Sequence, residues 1–249
     1  DAALKCAKVL GDTKSVPWLR ARRAHTKRAL NALWDRRSKS YPDSIHNDDA
    51  VSEQTSIHTS LLAVLYNIAT PDIRTHAVKN LLDTPKDMTP ICSPFAIMYL
   101  YEALEALDRP DDIIASIYKN YIPMLDAGAT TVWETFARGS VEDGDFPTRS
   151  HCHAWSSAPI YFLNRIVLGI RATAPGAARF NISPWLIKGM RRAEGSTVTC
   201  AGEVHVRWRK VGKTLTILAT APATTKLRFV RNASHKDLKV VFNDKPVAG

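Results

Sequence analysis

The sequence contains no run of about 18 apolar residues, so no segment is long enough to span a membrane as a helix. It has no CxxC pair. Its four cysteines, Cys6, Cys92, Cys152 and Cys200, lie far apart, which excludes a disulfide framework and gives no zinc-ligand spacing. Gly-rich phosphate loops and a GxSxG nucleophile elbow are absent, so the usual nucleotide-binding and serine-hydrolase signals are missing. No fixed-period repeat occurs, which argues against a regular solenoid. The first residues lack both Met and an apolar signal segment, and a helix is already under way at Ala2. A truncated or processed N-terminus is therefore expected, and the compartment stays open.

What is present is a globular composition: 45% hydrophobic and 23% charged over 249 residues, enough for a substantial core. The formal net charge of +10 raises an anionic partner. Its distribution changes that reading. Residues 1–40 carry net +8, residues 41–170 carry −9, and residues 171–249 carry +11. The acidic middle is a better place for acid–base chemistry than for phosphate binding.

The first two-thirds read as helices. Ala2–Leu10 ends at Gly11, and the next helix takes Pro17 in its first turn and runs to about Trp34. Trp18, Ala21, His25, Ala29 and Leu33 recur on one side of it, opposite Arg20, Arg22, Arg23, Lys27 and Arg28, which read as a solvated face. Further helices are expected over Val51–Ala69, from Pro71 to about Leu82, from Ser93-Pro94 to Leu107, from Ile113 to about Leu125, and from His153 or Ala154 to Leu168. Seven helices in pairs build bundles, solenoids or α/α toroids. A short extended piece, Thr130–Glu134, and a polar loop, Gly139–Ser150, interrupt them. From Thr173 the pattern alternates with period two. Strands are expected at Arg179–Ile182, Thr197–Cys200, Glu203–Trp208, Thr214–Leu218, Lys226–Phe229 and Lys239–Phe242, with turns at Val211–Lys213 and Asn243–Lys245. The expected architecture is α plus β in two domains: residues 1–170 helical, and residues 171–249 an antiparallel β-sandwich.

Reactive side chains are densest between Thr130 and Ser157. Glu134 follows Trp133 in an extended piece. It is either an acid–base group in a partly apolar setting or a loop carboxylate beside a core ring. Trp133 offers an indole face on which a sugar could pack. His151-Cys152-His153-Ala154-Trp155 opens a helix, where His153 or Trp155 would donate to a substrate hydroxyl or stack on it. The alternative is a capping histidine and a core tryptophan. No further residue stands at ligand spacing from His151 and His153, so no metal site is expected, and Cys152 has no partner in sight for a nucleophilic role. Asp143 and Asp145 read as a solvated turn around Gly144. Gln54 and His58, four apart, could share one helix face.

At these residues the chain resembles a family. Ala127-Gly128-Ala129-Thr130-Thr131-Val132-Trp133-Glu134, then His151–Ser156, then Tyr161–Ile170, resemble consecutive segments of α-L-rhamnosidases of glycoside hydrolase family 78. Arg171–Gly176 followed by Arg179-Phe180-Asn181-Ile182-Ser183-Pro184 resembles that family's passage into its C-terminal β-domain. The match spans roughly residues 50–249. The resemblance implies part of an (α/α)6 six-hairpin toroid followed by a β-sandwich; apart from it, no cofactor and no metal are expected. It also implies inverting hydrolysis of terminal α-L-rhamnosides. Glu134 matches the general base, and Trp133, His153 and Trp155 match positions near the sugar.

A complete toroid needs twelve helices, and the family's general acid lies in an acidic motif upstream of anything here. Asp43, Asp48 and Asp49 do not match it. The chain is therefore expected to be the C-terminal part of such an enzyme, with little activity by itself. Rhamnose-containing glycosides are the expected partners, with no nucleic acid and no membrane. The alternatives are a non-catalytic carbohydrate-binding or scaffold protein, another glycosidase on a similar toroid, or a polyanion binder using residues 171–249. The last lacks the aromatic–basic stripe of single-strand binders.

Overall fold

A computed structural model describes residues 1–136 and 148–247. The chain divides into two compact units, Asp1–Leu107 and Asp108–Gly249. The first holds helices α1 (Ala2–Leu10), α2 (Val16–Ala32), α3 (Ile57–Leu65), α4 (Pro71–Leu82) and α5 (Pro94–Ala106). The second holds α6 (Pro110–Asp126), α7 (Ala158–Ile166) and eight strands. These seven are the α-helices among the described residues.

In the first unit, α3 packs against α4 and α5 around Ile57, Leu61, Val64, Ala77, Leu81, Met88 and Ala103. Each large side chain removed from water there contributes roughly 1.5–3 kcal/mol. Proline sets where the helices begin: Pro71, Pro94 and Pro110 all sit in first turns, where a missing N–H costs no bond. Ser93 caps α5 by accepting from the Phe95 amide at 3.2 Å.

Two expectations need correction here. The helix expected over Val51–Ala69 begins only at Ile57. Before it the chain is extended: Val51 bridges Ile45, Ser56 bridges Thr89, and the Gln54 carbonyl accepts from the Asp43 amide at 3.1 Å. The run Ser52–Ser56 is rich in hydroxyls that bond nearby backbone and compete with helix, as Ser52 does with the Gln54 amide. Gln54 and His58 therefore share no helix face. In α2 the covered side is rotated by about one residue from the expected apolar stripe. Trp18 is exposed, while Leu19, Arg23, Lys27, Leu30 and Asn31 are partly covered.

The reason for that rotation is hydrogen bonding. Lys27 Nζ donates to the Asn67 carbonyl at 2.8 Å. The Asn31 amide donates to the Lys27 and Ile68 carbonyls, and its oxygen accepts from Tyr41 Oη and the Thr70 amide. Burial pushes the Tyr41 hydroxyl up to about 12, which keeps it a donor.

In the second unit, strands β1 (Ile170–Ala172), β2 (Arg179–Ile182) and β6 (Lys226–Phe229) form one sheet in the order β1-β2-β6. Strands β3 (Arg192–Thr199), β4 (Gly202–Val211), β5 (Thr214–Thr220), β7 (Lys239–Phe242) and β8 (Lys245–Pro246) form the other, in chain order. Phe229 and Phe242 pack across the sheets at 5.9 Å between rings, giving a sandwich. Val204, Val206, Trp208, Leu215, Ile217 and Val240 fill its interior. The sheets are mixed rather than wholly antiparallel, because β2–β6 and β5–β7 run parallel. Alternation reveals a strand but not its direction. Direction is fixed locally in the hairpins β3–β4, β4–β5 and β7–β8, which close through the two-residue turns Cys200-Ala201, Gly212-Lys213 and Asn243-Asp244.

The helix expected from His153 or Ala154 is split. A 3₁₀ turn covers Ala154–Ser156, and α7 starts beyond it because Pro159 belongs in a first turn. At its far end the last carbonyls of the helix have no partner inside it. Trp185 donates its amide to Ile166 at 2.7 Å, and Trp208 Nε1 donates to Val167 at 2.7 Å. Gly169 follows with φ +72, and its carbonyl accepts from the Ser183 amide at 2.9 Å. A Cβ at Gly169 would stand 2.1 Å from the Pro184 nitrogen. The next layer is also bonded. His235 is fully buried; its Nδ1 accepts from the Asn232 amide at 3.2 Å, so Nε2 carries the proton to the Pro184 carbonyl at 2.6 Å.

Gly169→Ala is expected to cost more than about 2 kcal/mol, from left-handed backbone strain plus the clash with Ser183-Pro184; an unchanged midpoint in chemical denaturation contradicts this. Burial lowers the His235 pKa, opposed by its bond to Pro184 and aided by Arg231. The unfolded state therefore binds the proton more readily. The contribution of His235 is complete above an unfolded value of about 6.5 and is lost as pH falls through the lower folded value. Thermal unfolding should show that acid loss, and His235→Gln should remove it.

Candidate active site

The site segment starts where α6 stops. Gly128, at φ +82, donates to the Leu125 carbonyl, and Ala129 donates to Met124, so the chain leaves the helix in a defined direction. Residues 130–134 are not a strand, yet they lie alongside residues 150–153. The Glu134 amide donates to the Ser150 carbonyl at 3.0 Å, and the His153 amide donates to the Val132 carbonyl at 3.0 Å. Thr131 Oγ1 also donates to the His151 carbonyl. These bonds lay the segment that carries Glu134 alongside the segment that carries His153, with Glu134 opposite Ser150 and His153 opposite Val132.

Extended backbone sends successive side chains to opposite sides. Trp133 turns inward and is 4% exposed, with its ring 5.2 Å from that of His151. A ring so covered presents no free face, so the expected sugar platform does not lie on Trp133. Its burial leaves Glu134 on the other side, half-buried. Trp155 is 62% exposed and meets the His153 ring edge-on at 5.2 Å. The two histidines thus face different tryptophans. Among the described residues no group of three or more His, Cys, Asp or Glu is placed to hold a metal ion.

A hydroxyl pair closes the arrangement on its other flank. Thr148 is buried; its Oγ1 accepts from the Thr135 amide at 3.2 Å, lies 3.0 Å from Thr135 Oγ1 and donates to the Ser150 carbonyl at 3.3 Å. Phe136 packs edge-on against Tyr121 of α6 at 5.8 Å. Asp143 and Asp145 lie outside the described residues. Cys152 is exposed, with its amide bonded to Ser150 Oγ. Sequence reasoning had no signal for Thr135 and Thr148, since a hydroxyl pair 13 residues apart carries no spacing rule. It also had none for Ser156, which is fully buried, with no bond to its Oγ among the described residues.

Comparison with known proteins decides the family. The model described as the bacterial alpha-L-rhamnosidase 6 hairpin glycosidase domain matches residues 2–167, and that of the bacterial alpha-L-rhamnosidase C-terminal domain matches residues 169–243. The chain belongs to the bacterial α-L-rhamnosidase family. A family 78 rhamnosidase of Bacillus sp. GL1 is 31% identical, with a TM-score of 0.85 over 95% of this chain and 25% of that one. A rhamnosidase from Klebsiella oxytoca, solved with rhamnose bound, is 28% identical, with a TM-score of 0.51 over 65% of this chain and 32% of that one. An alpha-L-rhamnosidase of Alteromonas sp. (strain LOR) is 28% identical over 143 residues, 55% of this chain and 15% of the relative. The chain thus spans about a quarter of the Bacillus rhamnosidase it matches.

Within the rhamnosidase fold the Thr135–Thr148 pair is what pins the Trp133–Glu134 segment at its far end. Thr148→Val keeps the shape and strands the Thr135 amide, while the Ser150 carbonyl keeps its bond from the Glu134 amide; the loss should cost about 1–3 kcal/mol in denaturant unfolding. A loss below the error of the measurement would show that the pair does not hold the segment.

Proposed function

We propose that this chain supplies the general base and part of the sugar pocket of an inverting α-L-rhamnosidase. The observation that supports the reading is the pairing of residues 131–134 with 150–153, which lays the segments carrying Glu134 and His153 side by side in a chain of this family. Glu134 acts as the base: its carboxylate takes a proton from a water, which attacks the anomeric carbon from the face opposite the leaving group. A second carboxyl group protonates the leaving oxygen, and in inverting enzymes the two stand about 6.5–9.5 Å apart to admit the water. No motif in this chain matches that acid, so the isolated chain is expected to turn over rhamnosides slowly or not at all.

Trp155 supplies the exposed ring face on which the sugar packs, and His153, braced against that ring, donates to a hydroxyl. Trp133 contributes from beneath, as the buried wedge that aims Glu134. The rhamnose bound to the Klebsiella oxytoca relative supports a rhamnose-bearing substrate. The adjoining family-model matches support a division into a helical domain over residues 1–170 and a β-domain over 171–249.

In the protein that carries this chain, Glu134→Gln should lower kcat by about 10²–10⁴-fold with the unfolding midpoint unchanged. Trp155→Ala, at an exposed position, should raise KM about tenfold and leave stability within about 0.5 kcal/mol. Unchanged kcat in Glu134→Gln rejects Glu134 as the base. Rhamnoside binding without cleavage, indifferent to that substitution, favours the non-catalytic alternative.

A further inference from the structure

The outer face of the five-stranded sheet carries a broad groove of about 1420 Å³. Its lining holds five cationic side chains, Arg191, Arg192, Arg207, Arg209 and Lys210, against one carboxylate, Glu194. That carboxylate is engaged with His205 at 3.2 Å. Arg192 and Arg209 stand directly opposite each other in the β3–β4 register, and both are exposed. Like charges at facing positions of an antiparallel pair destabilise a sheet. No ion pair relieves them: among the described residues, neither has a carboxylate within 4.0 Å. A solvated face needs no such arrangement, whereas a site for an anion does. Beside the arginines, Thr216 pairs with Arg209 and the half-buried Leu218 pairs with Arg207, so hydroxyl and apolar surface alternate with charge along the groove.

We propose that this groove binds an acidic glycan, through its carboxylate or sulfate groups. Guanidinium groups take such oxyanions bidentately, while the threonine and leucine side chains suit the hydroxyls and apolar ring faces of the sugars. A nucleic-acid strand fits less well. Its bases need exposed rings, and the one aromatic residue lining the groove, Trp208, is 1% exposed with its Nε1 committed to Val167. The choice of a glycan as occupant rests on the glycosidase reading; the charge argument does not. The groove lies in the +11 segment of the chain, apart in sequence from Glu134.

The test is calorimetric titration of the chain with oligogalacturonate, with neutral malto-oligosaccharide and single-stranded RNA as comparisons, at low and at physiological salt. Galacturonate chains should bind at least tenfold more tightly than the neutral ones and weaken as salt rises. The double substitution Arg192→Ser/Arg209→Ser should reduce that affinity at least tenfold, with a Tm equal to or above that of the unsubstituted chain because the facing charges are gone. Equal binding of acidic and neutral chains overturns the proposal, as does unaltered affinity in the double variant or tighter binding of RNA. The readout uses neither rhamnose nor hydrolysis, so failure of the Glu134 assignment leaves it intact, and its own failure leaves Glu134 untouched.

Discussion

The C-terminal end of α7 is the point on which the second unit depends. A helix leaves its last carbonyls unpaired, and here the β-structure supplies the donors: the Trp185 amide to Ile166, Trp208 Nε1 to Val167, and the Ser183 amide to Gly169. The approach is so close that only glycine fits at residue 169. Because Trp208 reaches from the interior of β4, the sheet fixes the helix. Because residues 150–157 lead straight into α7, the helix in turn fixes the strip that holds Glu134. Sheet, helix and candidate site therefore form one chain of contacts, and damage at Gly169 is expected to reach Glu134.

Much of this was legible from residue patterns. Period-two alternation located β2, β6 and β7 to the residue, since Phe180 and Ile182, Leu227 and Phe229, and Val240 and Phe242 recur at every second position and each strand opens on a charged residue. Proline and the Ser93 cap located the starts of α4 and α5, where one local interaction sets the boundary. What was not legible depended on partners distant in sequence. Val51–Ser56 looked helical but pairs instead with residues around Ile45 and Thr89. The covered side of α2 follows bonds from Lys27 and Asn31 to a turn some 40 residues away. Parallel pairing of β5 with β7 needs a crossover that alternation does not encode.

For the candidate site, the motif order in the sequence pointed to one stretch of chain but not to the different exposure of its two tryptophans. Trp133 and Trp155 look alike in sequence. The pairing of residues 131–134 with 150–153 turns the first inward and leaves the second in solvent. That difference is a consequence of strand-like alternation, and only the partner segment reveals which way it runs. The charge count also gains meaning. The excess on residues 171–249 is not spread evenly: facing arginines concentrate it on one side of one sheet, away from the interior that supports α7.

The central claim is that Glu134 stands where it can activate water against the anomeric carbon of a rhamnoside. A crystal structure of the protein carrying this chain, with L-rhamnose bound, tests it most directly. The account predicts the sugar against Trp155, with the Glu134 carboxylate hydrogen-bonded to a water poised at C1. Rhamnose seated with Glu134 out of reach of that water would contradict it.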